Sequence, residues 1–87
     1  MDKFFRLGIY TIDKMVFDGK VSSLSAPAET GYLGILLNHA PLMTKLKTGK
    51  ITFKSEDGGL NTINSGSSGF LEVLNNKVSI LLDSVDE

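Results

Sequence analysis

Residues 31–42 read GYLGILLNHAPL and hold the one histidine of the chain, His39, with one of its two prolines, Pro41. An apolar run breaks at Asn38, and the proline restricts the residue before it to extended backbone. The pattern predicts a short buried strand followed by an ordered loop on a β scaffold. Such loops often carry the contact chemistry of a small domain, although an ordinary hairpin corner explains the same spacing.

Apolar side chains alternate with other residues on both sides of this stretch, as in strands that bury one face. The alternation predicts strands at residues 5–11, 21–26, 31–37, 42–47, 50–54, 60–65 and 70–74, and one more that carries Val78, Ile80 and Leu82. Pro27 is expected to end the second of these strands or to place it at a sheet edge.

Turn residues separate the predicted strands. Asp57-Gly58 predicts a type I′ hairpin turn, because both central positions of that turn need a positive φ. Asn75-Asn76 predicts a second tight turn, and residues 66–69 (GSSG) predict a flexible corner. Roughly eight short strands, with turn signals every eight to ten residues or so, favour a single all-β domain that forms an antiparallel sandwich or barrel.

Two of the strands allow the buried face to be predicted residue by residue. Ile51 and Phe53 are expected to be buried together with Val78 and Ile80. The intervening residues are expected to face outward, namely Lys50, Thr52 and Lys54.

Composition narrows the function classes. The 87 residues contain no cysteine, so neither a disulfide nor a thiolate metal site supports the small core. A net charge of −1 gives no general attraction to nucleic acid or anionic lipid. Four lysines gather in one quarter of the chain, where a solvated strand face explains them better than a phosphate track: Lys45, Lys47, Lys50 and Lys54. No apolar stretch approaches the ~20 residues that span a bilayer.

Catalytic signatures are absent from the sequence. A nucleophilic triad needs a base, and only His39 is available. Ser67 and Ser68 lie in a glycine-bounded corner rather than in a Gly-x-Ser-x-Gly elbow. There is no phosphate-loop motif, and one histidine is a poor start for a metal site. We therefore expect no catalytic, cofactor or metal site. His39 either braces its loop or contacts another protein.

Several blocks of the chain carry a family resemblance. They are Phe17-Asp18-Gly19, residues 34–42 (GILLNHAPL), Lys47-Thr48-Gly49 with Ile51, residues 68–73 (SGFLEV) and residues 76–81 (NKVSIL). In this order and spacing the chain resembles the N-terminal domain of the epsilon subunit of F-type ATP synthase, the delta subunit of mitochondria. Three places depart from the family: Leu37 stands where proline is usual, Tyr32 stands where an acidic residue is common, and residues 67–69 (SSG) replace the more usual Ser-Gly-Gly.

The resemblance implies a flattened antiparallel β-sandwich of about eight to ten short strands, with residues 1–87 as one domain. It implies a non-catalytic central-stalk subunit of the proton-translocating synthase, which links the gamma subunit to the c-ring and helps transmit rotation. His39 and Thr44 would contact gamma, and the loop of Glu29, Thr30, Gly31 and Tyr32 would contact the c-ring.

Further expectations follow from the resemblance. The protein would lie on the cytoplasmic side of a bacterial cell membrane, attached only through the complex, and would bind no nucleic acid. Family members continue into two regulatory helices, whereas this sequence stops after the last predicted strand. We expect a short form without the helical hairpin, which neither inhibits the ATPase head nor binds ATP, and the sequence leaves open whether that absence is natural or a cut at the domain boundary. The alternative is a free-standing sandwich that binds a small ligand or carbohydrate, with Tyr10 and Tyr32 as its aromatic platform.

Overall fold

The computed structural model of the chain describes residues 3–86. Residues 1, 2 and 87, which the predicted domain includes, lie outside the described residues. In the described part, every regular element is a strand: β1 (Phe5–Tyr10), β2 (Met15–Ala28), β3 (Gly31–Ile35), β4 (Leu42–Leu46), β5 (Gly49–Ser55), β6 (Leu60–Ser65), β7 (Gly69–Leu74), β8 (Lys77–Leu82) and β9 (Val85–Asp86). The predicted all-β class is confirmed.

The long strand β2 joins two layers. Its N-terminal half pairs with β1, and its C-terminal half pairs with β5 on one side and β3 on the other. The register shifts between Val21 and Ser23, where an extra residue bends the strand. The first layer contains β4, β7, β8, β1 and the N-terminal half of β2. The second layer contains β3, the C-terminal half of β2, β5, β6 and β9. Pairing is antiparallel except between β1 and β8, which are parallel.

Alternating side chains of both layers fill one core. The largest fully buried side chains include Leu7 and Ile9 of β1 and Ile80 of β8. The rings of Phe17 and Phe53, from β2 and β5, stack with centroids 4.4 Å apart. The predicted buried set is confirmed, since Ile51, Phe53, Val78 and Ile80 are all at most 2% exposed and belong to this core. As predicted, Lys50 and Lys54 face solvent, while Thr52 is half-buried.

The course of β2 differs from the prediction at both ends. Residues 15–20 were not predicted to be a strand, yet they pair with β1 along its length. The strand also continues through Pro27 to Ala28, so the expectation that Pro27 ends it is wrong. The carbonyl of Pro27 accepts a hydrogen bond from the N–H of Lys47 (2.9 Å), on the side away from β3. The missing N–H of Pro27 points the same way, so the ladder with β3 does not need it.

Of the two tight turns predicted from the sequence, one has the expected backbone and the other does not. Asn75 and Asn76 have φ values of 49° and 59°, which gives the two-residue type I′ turn between β7 and β8. The type I′ prediction for Asp57-Gly58 is wrong, because only Gly58 has a positive φ (88°). Residues 56–58 form a three-residue loop in which Gly58 N–H donates to the carbonyl of Ser55 (2.9 Å).

Local hydrogen bonds of Asp57 explain this second loop. Its carboxylate accepts bonds from the Ser55 hydroxyl (2.6 Å) and from Gly59 N–H (2.8 Å). The hydroxyl bond first, and then the backbone bond, lower the pKa of Asp57 below its ordinary value. An Asp side chain that binds its neighbouring backbone favours this wider loop over the two-residue turn.

Within residues 3–86 there is no helix with the length and apolar character that a bilayer crossing needs.

Candidate partner-binding surface

Four large apolar side chains on the outward face of the first layer line one depression, and we call them the outer patch: Tyr10, Met43, Phe70 and Leu81. Leu81 of β8 pairs with Tyr10 on β1 and with Phe70 on β7, so these three residues form one row across adjacent strands. Met43 and Phe70 are 69% and 53% exposed, and Leu81 is 53% exposed. Solvated sheet faces normally carry polar side chains. An exposed apolar row of this kind is typical of a contact surface.

The outer patch is concave as well as apolar. Its four residues line a shallow depression of ≈ 320 Å³. The ring of Tyr10 lies over Gly8, where a Cβ would come within 2.7 Å of a ring carbon. Glycine at this position therefore lets the Tyr10 ring lie against the sheet.

A single acidic residue lies within the patch. Glu72 is exposed on β7 and pairs with Met43 on β4 and with Ser79 on β8. It lines the same depression as the four apolar residues. The patch therefore combines a broad apolar surface with one carboxylate.

The outward face of the second layer is different. Its central row holds Gly34, Ser25, Thr52 and Thr62 on four neighbouring strands. The hydroxyls of the two threonines lie 3.5 Å apart. Exposed leucines stand only at the margin, Leu36 and Leu60, beside a depression of ≈ 400 Å³. Small hydroxyl side chains suit contact with water.

The turn with His39 lies at one end of the outer patch. His39 N–H donates to the carbonyl of Leu36 (3.2 Å), which shortens the predicted strand 31–37 to Gly31–Ile35. The Nδ1 atom of His39 lies 2.7 Å from the carbonyl oxygen of Ala40. Because a carbonyl oxygen only accepts hydrogen bonds, this bond needs a proton on Nδ1. In the neutral ring Nε2 is then a hydrogen-bond acceptor.

A pair of asparagines fixes this turn in place. Asn38 N–H donates to Oδ1 of Asn76 (2.6 Å), and Nδ2 of Asn76 donates to Oδ1 of Asn38 (3.0 Å). Asn38 has a φ of 66°, a conformation that asparagine tolerates better than most residues. His39 thus makes bonds within its own loop, while Asn38 ties that loop to the β7–β8 turn.

The predicted c-ring loop forms a hairpin tip. Glu29 and Thr30 are the exposed two-residue connection between β2 and β3. Gly31 follows with a φ of 135° that a side chain would disfavour. Tyr32 is 62% exposed, and its hydroxyl accepts a hydrogen bond from Lys50 N–H (3.1 Å). The structure therefore keeps the four predicted residues together, with Tyr32 fixed against β5.

Thr44 does not join His39 on the outer patch. Alternation along β4 turns Met43 and Lys45 outward, and Thr44 shares the other side with Leu42 and Leu46. Thr44 lines a cleft of ≈ 190 Å³ together with Thr30, Gly31 and Tyr32. The two residues assigned to one partner by resemblance thus lie on different surfaces of the domain.

Other predicted features can also be located. The four clustered lysines are all exposed, but they are divided between the layers, with Lys45 on β4 and Lys50 and Lys54 on β5. Tyr10 and Tyr32 lie on the outer faces of different layers, so they form no common aromatic platform. Among residues 3–86, no group of three potential metal ligands comes together.

An exposed ion pair joins Arg6 of β1 to Asp18 of β2. Arg6 Nε donates to Asp18 Oδ1 (2.9 Å), and a second guanidinium nitrogen donates to Oδ2 (3.1 Å). The Arg6 hydrogen bonds hold the pKa of Asp18 below its ordinary value, and the same contact raises the pKa of Arg6.

Sequence reasoning missed the outer patch. The signal was present in strands that are apolar on both faces: β7 buries Leu71 and Val73 but also carries Phe70 and Leu74 outward. In β8, Ile80, Leu81 and Leu82 are consecutive apolar residues, of which Leu81 faces out. A half-buried strand of a solvated sheet needs only one apolar face.

Comparison with known proteins places the chain in a family. Residues 4–87 match the family model described as ATP synthase, Delta/Epsilon chain, beta-sandwich domain. An ATP synthase epsilon chain of Natranaerobius thermophilus is 39% identical over 84 residues, which are 97% of this chain and 60% of that protein. An epsilon chain of Chlorobaculum tepidum is 38% identical, over 97% of this chain and 94% of that protein.

The chain thus spans about three fifths of the length of the first of these relatives and nearly all of the second. A chain in the cryo-EM structure of the Euglena gracilis mitochondrial ATP synthase (OSCP/F1/c-ring) superposes with a TM-score of 0.89 at 19% identity, over 99% of this chain and 54% of that one. At this identity the likeness shows the fold. The family match and the Chlorobaculum relative show more: the chain belongs to the delta/epsilon chain family of ATP synthase, as its β-sandwich domain.

Proposed function

We propose that this chain is a non-catalytic central-stalk subunit of a proton-translocating F-type ATP synthase. It links the gamma subunit to the c-ring and helps transmit rotation to the catalytic head. Family membership supports the class, and the outer patch is the observation that carries the proposal. Residues 1–87 act as one domain in this role.

The mechanical task explains why an apolar surface is needed. A subunit that turns with its partner must hold it over a broad area, because exposed ion pairs contribute only ~0–1 kcal/mol each. Apolar side chains at the centre of a contact, with a polar rim, supply that adhesion. The outer patch has this composition, with Tyr10, Phe70 and Leu81 in one row and Lys45 beside them.

The two residues assigned to gamma by resemblance, His39 and Thr44, differ in position relative to the outer patch. The turn of His39 is tied to the β7–β8 turn by Asn38 and Asn76, and the chain continues from it into β4, which carries Met43 of the outer patch. This position supports His39 as a gamma contact. Thr44, assigned to gamma by resemblance, would reach gamma only along the cleft beside Tyr32.

The hairpin tip is the proposed c-ring contact. Glu29, Thr30, Gly31 and Tyr32 project at the far end of β3 from His39. Tyr32 supplies contact area where family members commonly carry a charge, since a partly exposed aromatic ring contributes by packing. The domain lies on the cytoplasmic side of a bacterial cell membrane and meets the membrane only through the complex, with no nucleic acid partner and no cofactor.

Two alanine variants test the proposed division. His39→Ala is expected to weaken binding to the cognate gamma subunit, measured by calorimetry, while Tyr32→Ala leaves that affinity unchanged. In vesicles that contain the reconstituted synthase, Tyr32→Ala is expected to lower proton pumping per ATP hydrolysed. Tyr32→Phe is the matched control, because it removes only the hydroxyl that binds Lys50. If Tyr32→Ala leaves pumping untouched and both alanine variants lose gamma equally, the division between two partners is wrong.

A further inference from the structure

The carboxylate of Glu72 lies in apolar surroundings. Its neighbours along the outward face of β7 are Phe70 and Leu74, which are 53% and 51% exposed. Across the strands it faces Met43 on one side and Ser79 on the other. A single charged group thus stands inside the surface that the proposed function assigns to a partner.

Glu72 has no cationic partner among the residues that the structure describes, where the ion pair formed is that of Arg6 with Asp18. Two lysines lie diagonally from it: Lys45 is opposite Phe70, and Lys77 is opposite Leu74. Diagonal positions on neighbouring strands are separated by roughly 7–8 Å, which long side chains can span, yet Glu72 forms no ion pair with either lysine in the structure. In the free domain, water solvates the carboxylate.

A partner that covers the outer patch removes that water. A carboxylate that loses its hydration without gaining a charged or hydrogen-bonding partner opposes binding strongly. An apolar helix alone would therefore bind this surface poorly, even though its area fits. A partner that brings a cation to the same place offsets much of this cost, provided that the two groups also form hydrogen bonds.

We propose that Glu72 is a specificity-determining contact residue, which selects a partner surface that presents an arginine or lysine within an apolar stripe. The inference rests on the proposed function and deepens it, since it states what the gamma surface over the outer patch must carry. Arginine fits best, because its planar guanidinium binds a carboxylate with two hydrogen bonds and also stacks on an aromatic ring such as that of Phe70. Glu72 thereby excludes purely apolar partners.

Charge removal at Glu72 tests the inference. Glu72→Gln keeps the size of the side chain but removes its charge, and we expect it to weaken binding to the cognate gamma subunit by at least about tenfold. The salt dependence of the association rate should decrease in the same variant. Glu56→Gln, at the exposed β5–β6 loop, is the matched control and should leave affinity within about twofold of the wild type. Urea unfolding of each variant checks that the fold is kept.

The outcomes separate the two proposals. If Glu72→Gln binds gamma as tightly as the wild type, or more tightly, no cation meets the carboxylate and the inference is overturned. Leu81→Ser, on the same face, tests the outer patch separately from Glu72. If Leu81→Ser weakens binding while Glu72→Gln does not, the outer patch is still the gamma surface. Unchanged binding in both variants overturns the surface itself.

Discussion

The two outer faces of this domain share one core but differ in what they offer to their surroundings. On the first layer, Tyr10, Phe70 and Leu81 stand in register across three strands. On the second layer, the corresponding central row holds Gly34, Ser25 and Thr52. The central row of the second face needs no cover, since its groups are small or hydroxylated, although Tyr32, Leu36 and Leu60 are exposed outside that row. The first exposes large apolar groups in the free domain, so it gains most when a partner removes them from water.

This difference shows that β7 and β8 carry more large apolar side chains than the core of the isolated domain buries. Their inward residues, such as Leu71 and Val78, stabilise the fold itself. Their outward residues, such as Phe70 and Leu81, are exposed and contribute little to folding, and in the proposed function they contribute to association. Substitutions can separate the two contributions, because inward and outward residues alternate along the same strands.

The largest expected effect compares two phenylalanines. Phe53→Ala should lower the free energy of unfolding by about 3–5 kcal/mol, because the ring is 2% exposed and packs on Phe17. Phe70→Ala should lower it by less than about 1 kcal/mol, because the ring is 53% exposed on the outer patch. Urea unfolding measures both. Equal losses for the two variants would show that Phe70 is part of the folding core rather than of a contact surface.

The next effect compares one glycine in each layer. Gly69→Ala should destabilise the domain by about 1–3 kcal/mol, because a Cβ there would clash with the carbonyl oxygen of Leu81 in the neighbouring strand. Gly34→Ala should be neutral or stabilise by up to about 1 kcal/mol, because nothing lies within 4 Å of the added carbon. Thermal unfolding of both variants is the measurement. A large loss for Gly34→Ala would mean that the second face is more tightly packed than described.

The smallest effect concerns pH and the exposed pair at the first layer. The Arg6 contact lowers the pKa of Asp18, so its stabilisation is present above the unfolded pKa of about 3.9 and is lost as pH falls through the lower folded pKa. Arg6→Gln should raise the pKa of Asp18 towards its ordinary value, as seen in an NMR titration of its carboxyl carbon. Asp57 is the internal control, because Ser55 and Gly59 lower its pKa. If the pKa of Asp18 is the same in the wild type and in Arg6→Gln, the ion pair does not lower it.

Much of the fold could be predicted because it depends on local patterns. The alternation of Ile51 and Phe53 with Lys50 and Lys54 is a period-two signal that burial confirms. The positive φ values at Asn75 and Asn76 follow from a residue type that tolerates them.

The rest depends on long-range pairing that no local pattern encodes. Pro27 fits inside β2 only because its N–H side faces away from β3. The tie between Asn38 and Asn76 joins residues 38 positions apart in sequence. The outer patch exists because β1 and β4, from distant parts of the chain, pair with the two sides of the β7–β8 hairpin. The site assignments came from resemblance, and the separation of Thr44 from His39 became visible only with the topology.

The most direct test of the central claim, that the outer patch holds the gamma subunit, compares two exposed leucines. Leu81→Ser lies on the outer patch, and Leu60→Ser lies at the margin of the second face, where the leucine is 73% exposed. Calorimetric titration of each variant against the cognate gamma subunit should show Leu81→Ser weakened by at least about tenfold and Leu60→Ser within about threefold of the wild type. Equal affinities, or a greater loss for Leu60→Ser, would contradict the claim.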